Sequence, residues 1–248
     1  MVNNWATHDE RFAPKRRVSN KISWKYPHSV GSFFSNKMDK YVEYESKGES
    51  LFYFFLELDL STIRYYVQPV EVPIKYYDEN EDIQYWYHVP DVLVFRKMGK
   101  PILFQIKEIK EPSKRERIID KSCIDYAESK GWEYRVIYPK ALPDTIVHNI
   151  NFLNGFTRRK RQYVDFIQEV LNKLLHFQMS TIEEMANSFK PKVDPLFIVP
   201  VIYHLIATGY IYININEKIS TSTIIRPNRE LQTILGNNLF VETIGYES

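Results

Sequence analysis

Two apolar runs stand close together in this chain: Val89-Pro90-Asp91-Val92-Leu93-Val94 and Ile102-Leu103-Phe104-Gln105-Ile106-Lys107. The residues between them, Lys97-Met98-Gly99-Lys100, have the length and the glycine of a β-hairpin connection. Side chains alternate between the faces of a strand, and counting back from the turn places Asp91 opposite the stretch Gln105 to Lys107. Pro90 removes a ladder donor and indicates a bulge or strand edge. We therefore expect Asp91, Gln105 and Lys107 to converge, the alternative being an ordinary hairpin with a solvated polar face.

A helix upstream adds a carboxylate to this expectation. Residues Tyr41 to Leu58 are predicted to be helical because apolar side chains recur at spacings of three and four. Glu49 lies on nearly the same face as Phe52 and Leu56, so its carboxylate is expected to point toward the core. A buried charge needs a partner. A metal ion shared with Asp91 suits it, and a salt bridge to a lysine is the alternative.

The order of these motifs resembles the PD-(D/E)xK restriction-endonuclease-like nucleases, and more closely TnsA, the endonuclease subunit of heteromeric cut-and-paste transposases. The resemblance spans roughly residues 15 to 155 and is carried by short stretches in a shared order. In chain order these stretches are Tyr44-Glu45-Ser46-Lys47-Gly48-Glu49, Phe54-Phe55-Leu56-Glu57-Leu58-Asp59, Val67-Gln68-Pro69, Pro90-Asp91-Val92-Leu93-Val94, Gln105-Ile106-Lys107 and Ile146 to Leu153. Glutamine at position 105, where most of the superfamily has an acid, is a feature that the TnsA family shares.

The resemblance implies a metal-dependent DNA endonuclease. Glu49 and Asp91, with an oxygen from Gln105 or Ile106, would hold one or two magnesium ions, with manganese as a substitute. Lys107 would orient the attacking water or stabilise the transition state. The catalytic set implied is Glu49, Asp91, Gln105 and Lys107. The enzyme would cut the 5′ strand at each transposon end, beside a DDE-type transposase and an AAA-type ATPase regulator.

A second acid-x-lysine pattern, Glu108-Ile109-Lys110, follows directly. Gln105 and Lys107 are favoured because the apolar run Ile102-Leu103-Phe104 places them inside the strand, whereas Glu108 to Lys110 lies at its exit beside Pro112.

Composition limits the class of protein. The chain has 248 residues, 44% apolar content and a net charge of +2, so attraction to DNA must come from local patches. The single cysteine excludes a disulfide framework and fits a reducing cytoplasm. The sequence contains neither an apolar run of membrane-spanning length nor the core of a signal peptide. We expect a cytoplasmic protein without a membrane partner.

Charge and periodicity divide the chain into five parts. The prediction is a basic arm at residues 1–40, a nuclease domain at 41–155, a basic connector at 156–165, a winged-helix-like domain at 166–227 and a tail at 228–248. Within the nuclease domain we expect a strand from Ile63 to Tyr77, a solvated acidic turn at residues 78–82, a helix from Ser113 to Lys130 and a strand from Trp132 to Tyr138. The residues expected to touch DNA phosphates are Lys15, Arg16, Arg17, Arg158, Arg159, Lys160 and Arg161.

The fold class predicted is therefore an α/β restriction-endonuclease-like core, with a mixed central sheet flanked by helices, plus a C-terminal winged-helix domain. In that domain we expect helices at Tyr163–His176, after an N-cap at Ser180, and at Pro195–Thr208, then strands at Tyr210–Ile215 and Ile219–Ile225. The third helix lacks the side chains that read bases, so protein docking is favoured over DNA reading. The tail is a candidate for binding the ATPase.

The histidines, including His88 and His204, are expected to be packed or solvated. His88 lies three residues before Asp91, so strand alternation places it on the opposite face. Two other functions stay open: a catalytically silent DNA-binding or scaffold protein on the same fold, and a free-standing restriction-type endonuclease.

Overall fold

The computed structural model of the protein describes residues 5–16, 30–77, 82–107, 113–139 and 142–228. The chain divides into two compact units. Among the described residues, the first unit holds those up to Ser50 and from Thr62 to Pro139, and the second holds Leu51–Ser61 and those from Leu142 to Asn228. The domain boundaries predicted from the sequence stay predictions.

The first unit contains most of the strands. Its described elements are α1 (Trp5–Arg11), β1 (Gly31–Ser35), β2 (Lys40–Tyr44), the start of α2 (Lys47–Leu58), β3 (Thr62–Val67), β4 (Val72–Tyr77), β5 (Ile83–His88), β6 (Val92–Arg96), β7 (Ile102–Ile106), α3 (Lys114–Ser129) and β8 (Glu133–Ile137). α3 begins with a capping box between Ser113 and Glu116, and its bounds confirm the predicted helix.

A mixed four-stranded sheet forms the centre of this unit. Its order is β3-β6-β7-β8, with antiparallel pairs except for the parallel pair β7 and β8. Leu93 and Leu103 are paired at the centre of the sheet, and both are fully buried. The mixed sheet agrees with the predicted α/β class, and the β6–β7 hairpin is confirmed. Gly99 in its turn has a φ of 93°, a conformation that glycine adopts without a steric penalty.

Two predicted elements are wrong in their bounds. Residues 40–44 are a strand and not the start of a helix, since Val42 is buried between exposed Tyr41 and Glu43 and pairs with β1. This alternation has the period of a strand, and α2 begins only at Lys47. The strand expected from Ile63 to Tyr77 is two strands, β3 and β4, in different sheets. Gln68, with a φ of 48°, turns the chain between them.

Part of the segment predicted as a basic arm, residues 1–40, forms regular elements where the structure describes it. Residues 5–11 form a helix and residues 31–35 a strand. Phe12 is buried, with its ring against those of Tyr66 and Phe95. Aromatic packing therefore fixes the position of this segment, even though the segment carries many positive charges. The acidic turn at residues 78–82 lies outside the described residues except for Asp82.

The second unit is mainly helical. Its other described elements are α4 (Asp144–Asn154), a 3-10 turn (Arg161–Tyr163), α5 (Val164–Phe177), β9 (Ser180–Thr181), α6 (Ile182–Asn187), α7 (Pro195–Ala207), β10 (Ile211–Tyr212) and β11 (Ile224–Pro227). The three short strands form an antiparallel sheet in the order β10-β11-β9. α7 is mostly buried, as expected. None of the described helices combines the length and the apolarity that a membrane crossing requires.

Three differences from the sequence prediction stand out here. Residues 144–154, for which no helix was predicted, form α4, whose buried Ile146, Ile150 and Leu153 follow helical spacing. The cap of α6 is Thr181, which bonds Glu184 in a capping box, one residue later than expected. The two final strands are shorter than predicted, because the carbonyls of residues 215 and 217 and the N–H of Ile219 bond the buried side chain of Asn149 instead of a neighbouring strand.

Two glycines in left-handed conformations offer a test of packing in the fold. A Cβ added at Gly209, with a φ of 78°, would lie 2.1 Å from Leu60 Cδ1, whereas at Gly131, with a φ of 73°, it would meet open space. Both alanine variants carry the backbone penalty, and only Gly209→Ala adds overpacking. We expect Gly209→Ala to cost about 1–3 kcal/mol more free energy of unfolding than Gly131→Ala, measured by urea denaturation. Equal losses would contradict this account of the Leu60 contact.

Candidate active site

The hairpin brings Asp91 and Gln105 together as the sequence predicts. Asp91 N–H donates to Phe104 O over 3.1 Å, which extends the register in which Val92 pairs with Phe104. Asp91 Oδ2 accepts hydrogen bonds from Ile106 N at 2.6 Å and from Gln105 Nε2 at 2.5 Å. One oxygen of the carboxylate is therefore held by two donors from the neighbouring strand.

Glu49 lies in the first turn of α2. Its Oε2 accepts from Glu45 N over 2.9 Å, and its Oε1 from Ser46 Oγ over 3.3 Å. Ser46 Oγ in turn accepts from Glu49 N, so Glu49 also helps to start the helix. A Cβ at the adjacent Gly48 would lie 3.6 Å from Ile106 Cγ2. The start of α2 is thus next to the end of β7, where Asp91 is held.

The two carboxylates share a poorly solvated environment. Burial raises the pKa of Asp91 to about 7; the N–H of Ile106 opposes this shift and the negative charge of Glu49 adds to it. Burial also raises the pKa of Glu49, and the nearby charge of Glu45 adds to the effect. The first unit therefore holds two acids that repel each other with little help from water.

His88 is a member of this site that the sequence prediction missed. Its Nε2 lies 2.8 Å from Gln105 Oε1. Burial lowers the pKa of His88, which favours the neutral ring. Strand alternation had assigned His88 to the face opposite Asp91. That inference is wrong because β5 ends at His88 and β6 begins at Val92, so alternation does not extend across Val89 and Pro90.

Lys107 binds a different partner from the one expected. Its Nζ lies 2.8 Å from Asp120 Oδ2, and the two side chains are 12% and 1% exposed. Asp120 Oδ1 also accepts from Tyr134 Oη over 2.7 Å. Glu116 Oε1 is 3.9 Å from the same ammonium. The expected convergence thus holds for Asp91 and Gln105, whereas the Lys107 ammonium is bound by α3. Sequence spacing gave no signal for Asp120.

The basic residues predicted to touch DNA have different surroundings. Arg16 forms an ion pair with Glu45, so part of its charge is neutralised within the protein. Lys15 Nζ donates to Arg11 O over 3.1 Å. The run Arg158 to Arg161 is exposed. Arg17 lies outside the described residues, as does the alternative motif Glu108-Ile109-Lys110, and the DNA contacts stay a prediction.

Metal-binding side chains are few at this site. In the parts of the chain that the structure describes, no three side chains of His, Cys, Asp or Glu come together as a group suited to a metal ion. Glu49 and Asp91 therefore supply two carboxylates, and any further ligand must be of another kind.

The mixed sheet therefore has two neighbouring carboxylates beside it, Glu49 and Asp91, and the Lys107 ammonium is held nearby by α3. Residues 142–215 match the family model described as TnsA endonuclease C terminal. The match supports the resemblance to the TnsA-like transposon endonucleases. It lies within the second unit, and the motifs with Glu49, Asp91 and Gln105 are outside it. No curated protein matches the chain closely enough to count as a relative.

The buried ion pair allows a test of how Lys107 is held. We expect Asp120→Ala to lower the free energy of unfolding by about 3–5 kcal/mol, because it leaves the Lys107 ammonium buried without its closest carboxylate. The control is Glu169→Ala, which breaks the more exposed pair between Glu169 and Lys192 and should cost less than about 1 kcal/mol. Chemical denaturation measures the free energy of unfolding of both variants. Similar losses of this free energy would contradict a buried pair between Lys107 and Asp120.

The raised pKa of Asp91 has a defined consequence for stability. A carboxyl group whose pKa is higher in the folded state favours folding when protonated, so this contribution is complete below about pH 4 and is lost as the pH rises through about 7. We expect Asp91→Asn to be more stable than the wild type by about 1–2 kcal/mol at pH 8, with little difference at pH 4. The control Asp125→Asn, at an exposed position of α3, should show no such pH dependence. Thermal melts from pH 4 to 8 make the comparison.

Proposed function

We propose that the protein is the metal-dependent DNA endonuclease subunit of a heteromeric cut-and-paste transposase and hydrolyses the phosphodiester at the 5′ strand of transposon ends. The observation that carries this proposal is the Asp91 carboxylate, which is half-buried, held by the N–H of Ile106 and repelled by Glu49. A fold keeps such a carboxylate at a cost in stability, and a cation that binds there offsets the cost.

The donor set fits a hard divalent cation. Two carboxylates that repel each other are the ligands that magnesium prefers, with manganese as a substitute. Glu49 and Asp91 would hold the ion, and an oxygen of Gln105 or Ile106 was the further ligand expected from the sequence. A divalent cation supplies a polarised water and positive charge against the scissile phosphate. Ile106 N–H and Gln105 keep the Asp91 carboxylate in one orientation.

Lys107 supplies a positive charge at the end of the same strand. Its ammonium is held by Asp120 and is largely shielded from solvent, so its charge acts in a medium of low polarity, where electrostatic interactions are stronger than in water. Next to a scissile phosphate this charge stabilises the extra negative charge of the transition state. Asp120 fixes the position of the ammonium and limits its reach.

The second unit is proposed to bind other subunits. The proposed winged-helix-like domain is supported by the order α5, β9, α6, α7, β10, β11 and by their one antiparallel sheet. In α7, Ile198, Val201 and Ile202 are fully buried, so this helix does not offer a base-reading face. Protein docking is therefore favoured. We propose a DDE-type transposase and an AAA-type ATPase as partners, with the transposon ends as the DNA.

Two other functions make different predictions. A catalytically silent scaffold would gain nothing from a desolvated carboxylate pair, and conversion of Asp91 to asparagine would leave its function intact. A free-standing restriction-type enzyme would cut DNA without partner subunits. Cleavage of end-containing DNA with and without the transposase and the ATPase separates both from the proposed role.

We expect Asp91→Ala to abolish strand cleavage in magnesium or manganese, because it removes one of the two carboxylates proposed to hold the cation. The assay follows nicking of end-labelled DNA that carries a transposon end, in the presence of the partner subunits. Asp125→Ala removes an exposed carboxylate of α3 and should cut like the wild type. Full activity of Asp91→Ala would overturn the assignment.

A further inference from the structure

Three side chains at the candidate active site form a hydrogen-bonded row. His88 Nε2 lies 2.8 Å from Gln105 Oε1, and Gln105 Nε2 lies 2.5 Å from Asp91 Oδ2. The row joins the end of β5 to the start of β6 through a side chain of β7. His88 and Gln105 are both half-buried, so solvent competes weakly for these bonds.

The chemistry of the three groups fixes the direction of each bond. Asp91 Oδ2 already accepts from Ile106 N, and above about pH 7 the Asp91 carboxylate is mainly ionised and only accepts hydrogen bonds, so the amide nitrogen of Gln105 must face it. The amide oxygen then faces His88, and an oxygen can only accept. His88 must therefore carry its proton on Nε2, because the other tautomer would place two acceptors against each other.

We propose that His88 is a positioning residue of the nuclease site: its Nε2–H holds the amide of Gln105 so that Gln105 donates to Asp91 and does not serve as a metal ligand. This inference rests on the proposed function and deepens it. It revises the expectation that Gln105 contributes its own oxygen to the metal.

The arrangement assigns different roles to the two oxygens of Asp91. Oδ2 is occupied by the donors Ile106 N and Gln105 Nε2. Oδ1 is the oxygen left to face a cation together with Glu49. Without His88, only Asp91 distinguishes the two ends of the Gln105 amide, and a cation that neutralises Asp91 would favour rotation by half a turn, which directs the amide oxygen at the cation. His88 thus selects one of two coordination patterns.

The first test is made on the full chain without metal at pH 8, where Asp91 is mainly ionised, by nitrogen-15 NMR of the histidine rings and of the glutamine side-chain amides. We expect His88 to be neutral with its proton on Nε2. In His88→Ala the amide signals of Gln105 should shift, and His88→Gln, which restores an N–H donor, should return them toward the wild-type position. A proton on Nδ1, or Gln105 signals unchanged in His88→Ala, would overturn the proposal. This readout requires no catalytic activity.

The second test is a double-mutant cycle measured as kcat for strand cleavage. His88→Ala should lower kcat about 10-fold to 100-fold, as the loss of a group that orients a ligand does. His88→Gln should recover most of it. His88→Ala combined with Gln105→Ala should be no slower than Gln105→Ala alone, since His88 acts through Gln105. Additive losses would show that His88 acts independently and would overturn the proposal.

Matched controls separate this inference from the proposed function. His176→Ala removes an exposed histidine of α5 and should leave kcat and the NMR signals of His88 and Gln105 unchanged. Thermal melts of His88→Ala establish that the variant is folded. If the wild type cuts no DNA with its partners and magnesium, the proposed function fails, and the NMR result still decides whether His88 orients Gln105.

Discussion

The carboxylate of Asp91 is the constraint around which the first unit is arranged. It is largely removed from water, and the charge of Glu49 acts on it, so its ionised form is unfavourable in the isolated protein. The N–H of Ile106 and the amide of Gln105 offset part of this cost, and both come from β7. That strand is held on both sides, by antiparallel β6 and parallel β8, around the fully buried Leu93 and Leu103. The paired strands of this sheet keep the Asp91 carboxylate in a position where water solvates its ionised form poorly.

Local sequence patterns were enough to predict the hairpin. They failed where the structure depends on contacts between segments that are distant in the sequence. Alternating side chains and a glycine turn predict β6 and β7, because the pairing involves neighbours in the sequence. The strand β2 was mistaken for helix, since Tyr41, Val42 and Glu43 alternate over too few residues to outweigh the helical pattern that follows. The Lys107–Asp120 pair arises from a parallel crossover through α3, and no spacing along the chain predicts which turn of that helix meets the strand. His88 was missed because Pro90 interrupts the alternation on which its placement relied.

Charge counting also gave an incomplete picture of how DNA is attracted. Arg16 and Lys107 both contribute to the net charge of +2, yet each is paired with a carboxylate inside the first unit. Lys107 is largely buried, whereas Arg16 is still 54% exposed although it is paired with Glu45. Arg158 to Arg161 are exposed on a segment between helices of the second unit. Attraction to the phosphates of DNA depends on such exposed charges, and it weakens as salt increases. Neutralised and exposed cations therefore have to be distinguished before a basic sequence is interpreted as a binding surface.

Glutamine at position 105 follows from the electrostatics of its neighbours. Its amide nitrogen is within hydrogen-bonding distance of Asp91, at a site where Glu49 already raises the pKa of that carboxyl group. A carboxylate at position 105 would place a third negative charge there, and like charges at such distances hinder one another's ionisation. The amide instead donates to Asp91 with one end and accepts from His88 with the other. Because the glutamine is neutral and both donates and accepts, Glu49 and Asp91 stay close together without a third carboxylate beside them. The orientation of the Gln105 amide then depends on His88, which is not one of the two acids.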